Sequence, residues 1–454
     1  MTFPSTGIDA ERSFTTDAAA LIDSLQRHGA SDVGSECFFE KSSAHSLSLR
    51  LRPSSRLFER RRLAEQSALE HGLSIRPIGG GLLETFEGLD LASVHASLNR
   101  CAHPREVVHS GDPALIMPAR GEMEDLLETL IDRLLSTPSI RSADAEIRCR
   151  IRRTLVVRPD GLAVVRHEPS ALLRLTAHAR GLEGRATDTI TASIAREGMR
   201  LDAAAALALA STVVERSGRR QQASPPPPGS FPAILAGGWT GVWLHEVLGH
   251  LLEADVFFDG PFEDCLGKGI APPSVTISDD PGEVAWDDEG WPTARTDLVR
   301  DGLLQSLLSD SRTARRHELD RTGNGRRQNF RHRPLPRMWG LRLAPGSLSL
   351  PSLYDDMDQG VLVTSTRSAS IRPGGRFRLE DASGFMIERG KPVRPVAGFA
   401  VVGDARRSLQ DIEQVGSGGY DLRRTGNCVK GGQEVPVDVS MPPVRFRKLR
   451  IEPH

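Results

Sequence analysis

The stretch Ala223-Ser224-Pro225-Pro226-Pro227-Pro228-Gly229-Ser230 divides the chain into two nearly equal halves. Four successive prolines have no backbone N–H to donate and favour an extended spacer over a helix or a central strand. The expected organisation is a mixed α/β domain over 1–222, a Pro-rich linker over 223–230 and a β-rich domain over 231–454. A rigid loop inside one larger domain is the alternative. The fold class expected is α+β: a mixed N-terminal domain, then an antiparallel, barrel-like C-terminal domain carrying one metal-binding helix.

Upstream of the prolines, both periods are present. Asp202 to Ser217 is an Ala/Leu helix running into the linker, and Met123, Leu127, Leu130 and Leu134 mark another amphipathic helix. Thr16 can cap a third, with Ala18, Leu21, Ile22 and Leu25 as its apolar face and Gly29 as its stop. Leu47, Leu49 and Leu51 alternate with polar residues, as do Ile147, Cys149 and Ile151, which is strand spacing. Pro159-Asp160-Gly161 supplies a hairpin turn between Leu155-Val157 and Leu162-Val165. Nothing in this half points to catalysis.

Downstream, short strand-like runs separated by Gly, Pro and Asp dominate. Ser274-Ile277, Gly360-Thr364 and Ala400-Val402 are examples, and a hairpin is expected where Arg376-Leu379 and Phe385-Ile387 flank Ala382-Ser383-Gly384.

Composition narrows the class. The chain has 454 residues, with 58 basic and 59 acidic side chains and a net charge of -1, which gives no footprint for bulk nucleic acid or an anionic membrane. Its most membrane-like stretch, Ala203 to Val214, is far short of the ~20 residues a spanning helix needs. The start, MTFPSTGIDAERSF, lacks the basic and apolar regions of a signal peptide. Five scattered cysteines form no disulfide framework and fit a reducing, cytoplasmic setting.

One hexapeptide carries chemistry: His245-Glu246-Val247-Leu248-Gly249-His250. Zinc proteases with HExxH place two histidines at i and i+4 on one helix face. Here the spacing is i and i+5, which on an ideal helix leaves the rings roughly 140° apart. A π-type turn closes the offset to about 50°, so the sequence predicts a helix with a local bulge. Gly249 is the residue expected to permit that distortion. Zinc held by two imidazoles and one further ligand keeps a position for water, whose pKa falls from about 15.7 to about 7. Glu246 can then act as general base and pass the proton to a leaving amine. A hydrogen-bonded, partly buried histidine pair is the plainer reading.

The hexapeptide does not name the third ligand. Glu253, Asp255, Cys265 and Cys428 are all candidates. Cys428 sits in a Gly-rich stretch, and neighbouring Lys430 is expected to favour its thiolate.

The C-terminal half resembles the catalytic TldD branch of the TldD/PmbA metallopeptidase family. The resemblance rests on LHEVLGHLLEAD (Leu244 to Asp255), DDEGWPT (Asp287 to Thr293), TGNGRR (Thr322 to Arg327), PRM (Pro336 to Met338), GFMIERGK (Gly384 to Lys391) and CVKGGQEVPV (Cys428 to Val437). It implies one zinc ion per chain held by His245, His250 and Cys428, with Glu246 as the catalytic glutamate. It also implies hydrolysis of unfolded peptides or leader removal during peptide maturation. The implied partner is a related TldE/PmbA-like subunit lacking HExxxH, or a second copy through self-association. The alternatives are a non-peptidase zinc enzyme of a biosynthetic pathway and a binding or regulatory subunit. Val429 and Gly340 depart from the family's usual Gly and Asn, and Ser440-Pro443 from its usual Gly-containing run. No substrate-binding residue is assigned.

Three further features have plain expectations. Asp279-Asp280 and Asp287-Asp288-Glu289 read as surface turns rather than a second cation site. Arg321 to Arg333, with Phe330 among its arginines, reads as a peptide or partner contact. Cys101 and His103 with His109 make a weak metal site.

Overall fold

The computed structural model describes residues 20, 22–23, 35–53, 58–77, 84–87, 104–111, 118–179, 188–197, 202–418 and 426–453. Among them no helix is long and apolar enough to cross a membrane. Of the expected first helix, positions 20, 22 and 23 are helical, while Thr16, Ala18, Leu21, Leu25 and Gly29 lie outside the described residues.

A seven-stranded sheet fills the N-terminal half. Its strands are β1 (Ser35–Pro53), β2 (Phe58–Pro77), β3 (Glu84–Glu87), β4 (Glu106–Ser110), β5 (Ile140–Val157), β6 (Leu162–Ala179) and β7 (Asp188–Glu197). The order is β3-β2-β1-β5-β6-β4, with β7 also paired to β6. The Pro159-Asp160-Gly161 turn joins β5 to β6 in register from Val157↔Ala163 onward. Helices α1 (Arg120–Leu135) and α2 (Ala203–Gln221) cover one face. Their buried residues Leu127, Leu130, Ile131, Leu134, Ala206, Leu209 and Val213 meet Ile147, Cys149, Ile151, Leu173 and Leu175 in one core. Asp202 caps α2, its carboxylate accepting the Ala204 N–H at 3.0 Å.

The C-terminal half is built from strands β8 (Gly229–Leu235), β9 (Ile277–Asp279), β10 (Thr296–Arg300), β11 (Leu303–Leu304), β12 (Gly325–Arg326), β13 (Leu335–Pro336), β14 (Gly340–Leu343) and β15 (Gln359–Ser365). Then follow β16 (Ser368–Ile371), β17 (Arg376–Glu388), β18 (Lys391–Asp404), β19 (Ile412–Val415), β20 (Gly426–Lys430), β21 (Gln433–Ser440) and β22 (Val444–Pro453). Strands β15-β8-β22-β18-β17 close into a five-stranded barrel because β17 pairs back to β15. Four of its junctions are antiparallel as expected, but β8 and β15 run parallel. A second sheet, β11-β10-β9-β14-β21-β20, packs beside it. One core takes Leu235, Val363, Phe399 and Phe446 from the barrel, Ile277, Leu341 and Val437 from the second sheet, and Trp243, Val247 and Leu251 from the helix between them.

The hairpin expected at Ala382-Ser383-Gly384 is not a turn. These residues lie inside the continuous strand β17, where register shifts around Ala382 mark a bulge and Asp381 has φ 51°. Gly384 is small because β17 closes the barrel there: a Cβ on it would stand 1.8 Å from the Leu362 carbonyl oxygen. The true turn is Arg389-Gly390, both with positive φ, between β17 and β18. The strand expected at Ser274-Ile277 begins only at Ile277.

The prolines do not stand free of the barrel. Ser224 forms a parallel bridge to Val396 of β18, and Arg220 at the end of α2 reaches Asp381 at 2.5 Å.

Candidate metal centre

The centre is carried by the chain that leaves β8. Gly237 and Gly238, both with positive φ, turn it inward. Helical segments Gly238–Thr240 and Val242–Leu244 lead into a π-helical turn over His245–Gly249, followed by His250–Leu252 and Ala254–Phe257. The bulge predicted from the i, i+5 spacing is therefore where the spacing requires it. Its effect is to bring the two imidazoles together, with ring centroids 4.8 Å apart and planes at 85°.

Gly249 has a different reason from the one expected. Its φ of -51° and ψ of -61° are ordinary right-handed values open to any residue. A Cβ there, however, would stand 2.5 Å from Met338 Sδ and 2.8 Å from Leu341 Cδ1. Close packing selects the glycine.

Cys428 arrives from β20, 178 residues beyond His250, with its Sγ 3.1 Å from His250 Nε2. One ligand atom from each of His245, His250 and Cys428 lies within 4.8 Å of the others. Of the four candidates for third ligand, Cys428 alone joins this group. Cys265 is buried elsewhere in the core beside Asp264. Asp255 and Glu253 bind Lys430 Nζ at 2.6 and 2.8 Å, and Glu253 Oε2 also meets His250 Nδ1 at 2.9 Å. Lys430 thus serves the carboxylates and not, as expected, the thiolate. Glu246, in the π turn directly after His245, is half-buried.

The electrostatics follow these contacts. Burial pushes the Cys428 thiol up, but hydrogen bonds with His245 and His250 outweigh it and hold it at about 6. Burial pushes His250 down, and the Glu253 charge and the Cys428 contact reverse this and raise it to about 10. For Glu253, burial is overcome by Lys430 and His250, leaving the carboxyl at about 2. Without a metal the centre is a chain of alternating charges: thiolate, imidazolium, carboxylate, ammonium.

The Pro336–Met338 segment braces the centre from behind. Pro336 O accepts from Lys430 Nζ at 3.1 Å, Arg337 Nη2 donates to Cys428 O at 2.5 Å, and Met338 fills the space over Gly249. Asn324 Nδ2 donates to Arg337 O at 3.0 Å and to Asp279 Oδ2 at 2.7 Å. Sequence reasoning missed this bracing because its partners lie up to 100 residues apart; the arginine and asparagine inside glycine- and proline-rich runs were the only local sign. A cavity of about 130 Å³ lies beside Asp255, lined also by Phe258, Asp310, Arg316 and His317.

Most of the acidic residues are not on the surface: Asp279, Asp287, Asp288 and Glu289 are buried, while half-buried Asp280 accepts the Gly282 N–H in a turn. Protein donors occupy them: the Trp339 and Gly340 N–H groups on Asp279, Glu289, Trp291 and Gly325 N–H on Asp287, and Ser311 on Glu289. Nor is the arginine run a peptide contact throughout. Arg326 donates to Pro436 O and Arg327 to Asp288 O, both from buried positions. Cys101 and His103 lie outside the described residues, and His109 is exposed on β4.

Fold and donor set together define a barrel-and-sheet domain whose internal helix carries a His/His/Cys group of metal-ligand type. Residues 228–453 match the PmbA/TldA metallopeptidase C-terminal domain, and this half of the chain belongs to the TldD/PmbA family. A protein of Methanothermobacter thermautotrophicus named a metalloprotease is 38% identical over 221 residues, 47% of this chain and 48% of that one. One of Saccharolobus solfataricus, named a zinc metalloprotease TldD homolog, is 29% identical over 230 residues, 49% and 52% of the two chains. The chain spans about half the length of the curated relatives it matches. The crystal structure of TldE from Thermococcus kodakarensis has a TM-score of 0.69 at 17% identity, covering 96% of this chain and 100% of that one. That likeness is one of fold.

Proposed function

We propose that the chain is a zinc-dependent peptidase acting on flexible peptides, with His245, His250 and Cys428 as metal ligands and Glu246 as general base. The observation that carries this reading is the convergence of two histidine nitrogens and one cysteine sulfur within 4.8 Å. The donor chemistry fits zinc: two imidazoles and a thiol already held at about 6, with a carboxylate behind one imidazole. When bound, zinc supplies Lewis acidity and lowers the pKa of water to about 7. Glu246 holds the proton taken from water and delivers it to the leaving amine. The relatives named metalloproteases support the same class.

An extended peptide has a place to lie. Among the described residues β20 pairs on one side only, with β21, so the edge that bears Cys428 offers main-chain groups to a strand of any sequence. Val429, 68% exposed on that strand, gives such a peptide an apolar contact. The likeness in fold to TldE supports a related subunit as partner.

Bound zinc and peptide cleavage, measured for the wild type, Glu246→Gln and Cys428→Ala with and without a TldE-like subunit, test the reading. Glu246→Gln keeps the metal and loses at least about 100-fold in turnover, while Cys428→Ala loses the metal. Wild-type cleavage by Glu246→Gln overturns the mechanism.

A further inference from the structure

Glu253 is wholly buried. Its Oε2 meets both His250 Nδ1 at 2.9 Å and Lys430 Nζ at 2.8 Å. Its other oxygen, Oε1, is buried with no hydrogen-bond partner among the described residues. A carboxylate kept for stability alone would have both oxygens satisfied, because an unmatched buried acceptor is costly. The occupied oxygen is the one aimed at a ligand-bearing ring. Lys430 stands two residues from Cys428 on β20, so the same oxygen touches one candidate ligand directly and holds the strand of another through an ammonium group.

We infer that Glu253 is a positioning residue for the metal centre, and that its pairing with Lys430 clamps the helix bearing His250 to the strand bearing Cys428. By accepting from Nδ1 it keeps the proton on that nitrogen, so that the proton given up to a metal comes from Nε2, the nitrogen facing Cys428 Sγ at 3.1 Å. It also fixes the rotation of the ring. Lys430 makes the clamp selective for a carboxylate, since it faces Glu253 and Asp255 together. The inference rests on the zinc-peptidase reading.

The test is zinc affinity by chelator competition, together with the visible spectrum of the cobalt-substituted protein. Glu253→Leu, close in volume, is expected to bind zinc about 10- to 100-fold more weakly and to show altered cobalt bands. Glu253→Gln, which retains an oxygen able to accept from Nδ1, is expected to recover most of the affinity and the spectrum. A residue that only packs the core would move the melting temperature and leave both readouts at their wild-type values. Should Glu253→Leu fail to fold, Lys430→Met removes the other half of the clamp without touching the helix, and a fall in zinc affinity is expected there too. Wild-type affinity in a folded Glu253→Leu or in Lys430→Met overturns the inference while leaving the peptidase reading in place. Absence of zinc binding by the wild type overturns both.

Discussion

Cys428 and His250 set the conditions under which a metal can enter. A metal takes the thiolate and the neutral imidazole, so any proton on either group competes with it. His250, at about 10, carries a proton throughout the neutral range, whereas Cys428, at about 6, has largely lost its own. From these two groups, zinc uptake between about pH 6 and pH 10 releases close to one proton, and below about pH 6 it releases close to two. Affinity therefore falls as pH falls, by about tenfold per unit in the upper window and more steeply in the lower one. Isothermal titration calorimetry in buffers of different ionisation enthalpy measures the proton count directly. A constant affinity between pH 5 and pH 9 would contradict the charge chain described here.

At the scale of the element, the helix of the metal centre depends on a glycine whose value is its missing side chain. Gly249→Ala adds a methyl into space held by Met338 and Leu341, both buried, and is expected to cost about 1–3 kcal/mol of stability despite alanine's better helix propensity. In a Met338→Ala background the same substitution should cost at least ~1 kcal/mol less, a coupling visible in urea unfolding of the four-protein cycle. This helix also shows what a sequence reveals and what it hides. The π turn was legible because i, i+5 histidines leave no other way to share an ion, and the α1, α2 and β5–β6 elements were legible from period and turn chemistry. The role of Gly249 was not, since it lies in a neighbour 89 positions away rather than in its own dihedrals. The same holds at Gly384, whose small size reads as a turn and in fact closes a barrel. The burial of Asp279, Asp287 and Asp288 was hidden for a related reason: aspartate beside glycine is the signature of an exposed turn, and only tertiary donors make it an interior residue.

The two halves of the molecule are joined by buried charge. Asp288 Oδ1 accepts from Arg152 of β5 at 2.8 Å and Arg166 of β6 at 3.1 Å, and its Oδ2 from the Arg327 N–H at 2.7 Å. Two N-terminal strands thus converge on one C-terminal carboxylate, and Arg152 also meets Glu40 of β1 at 3.2 Å. Asp288→Asn preserves the shape and removes the charge that Arg152 and Arg166 share, leaving Arg152 with Glu40 and Glu168 and Arg166 with Glu168 alone. A loss of about 1–3 kcal/mol is expected in urea unfolding, with the proposed metal ligands themselves untouched. Full stability of Asp288→Asn would show that the halves are held by other contacts.

The parallel junction between β8 and β15 has a bearing on how such a protein is made. β8 emerges early in its half, yet it sits between β15 and β22, and β22 is the last strand of the chain. The sulfur of Cys428 cannot meet His250 until 178 further residues have been made, an interval of roughly 10–40 s, and the barrel closes only after β22 has followed. The nascent histidines and glutamate spend that time without their third ligand. On the proposed reading, an enzyme for flexible peptides is thereby kept unarmed while it is itself unfolded.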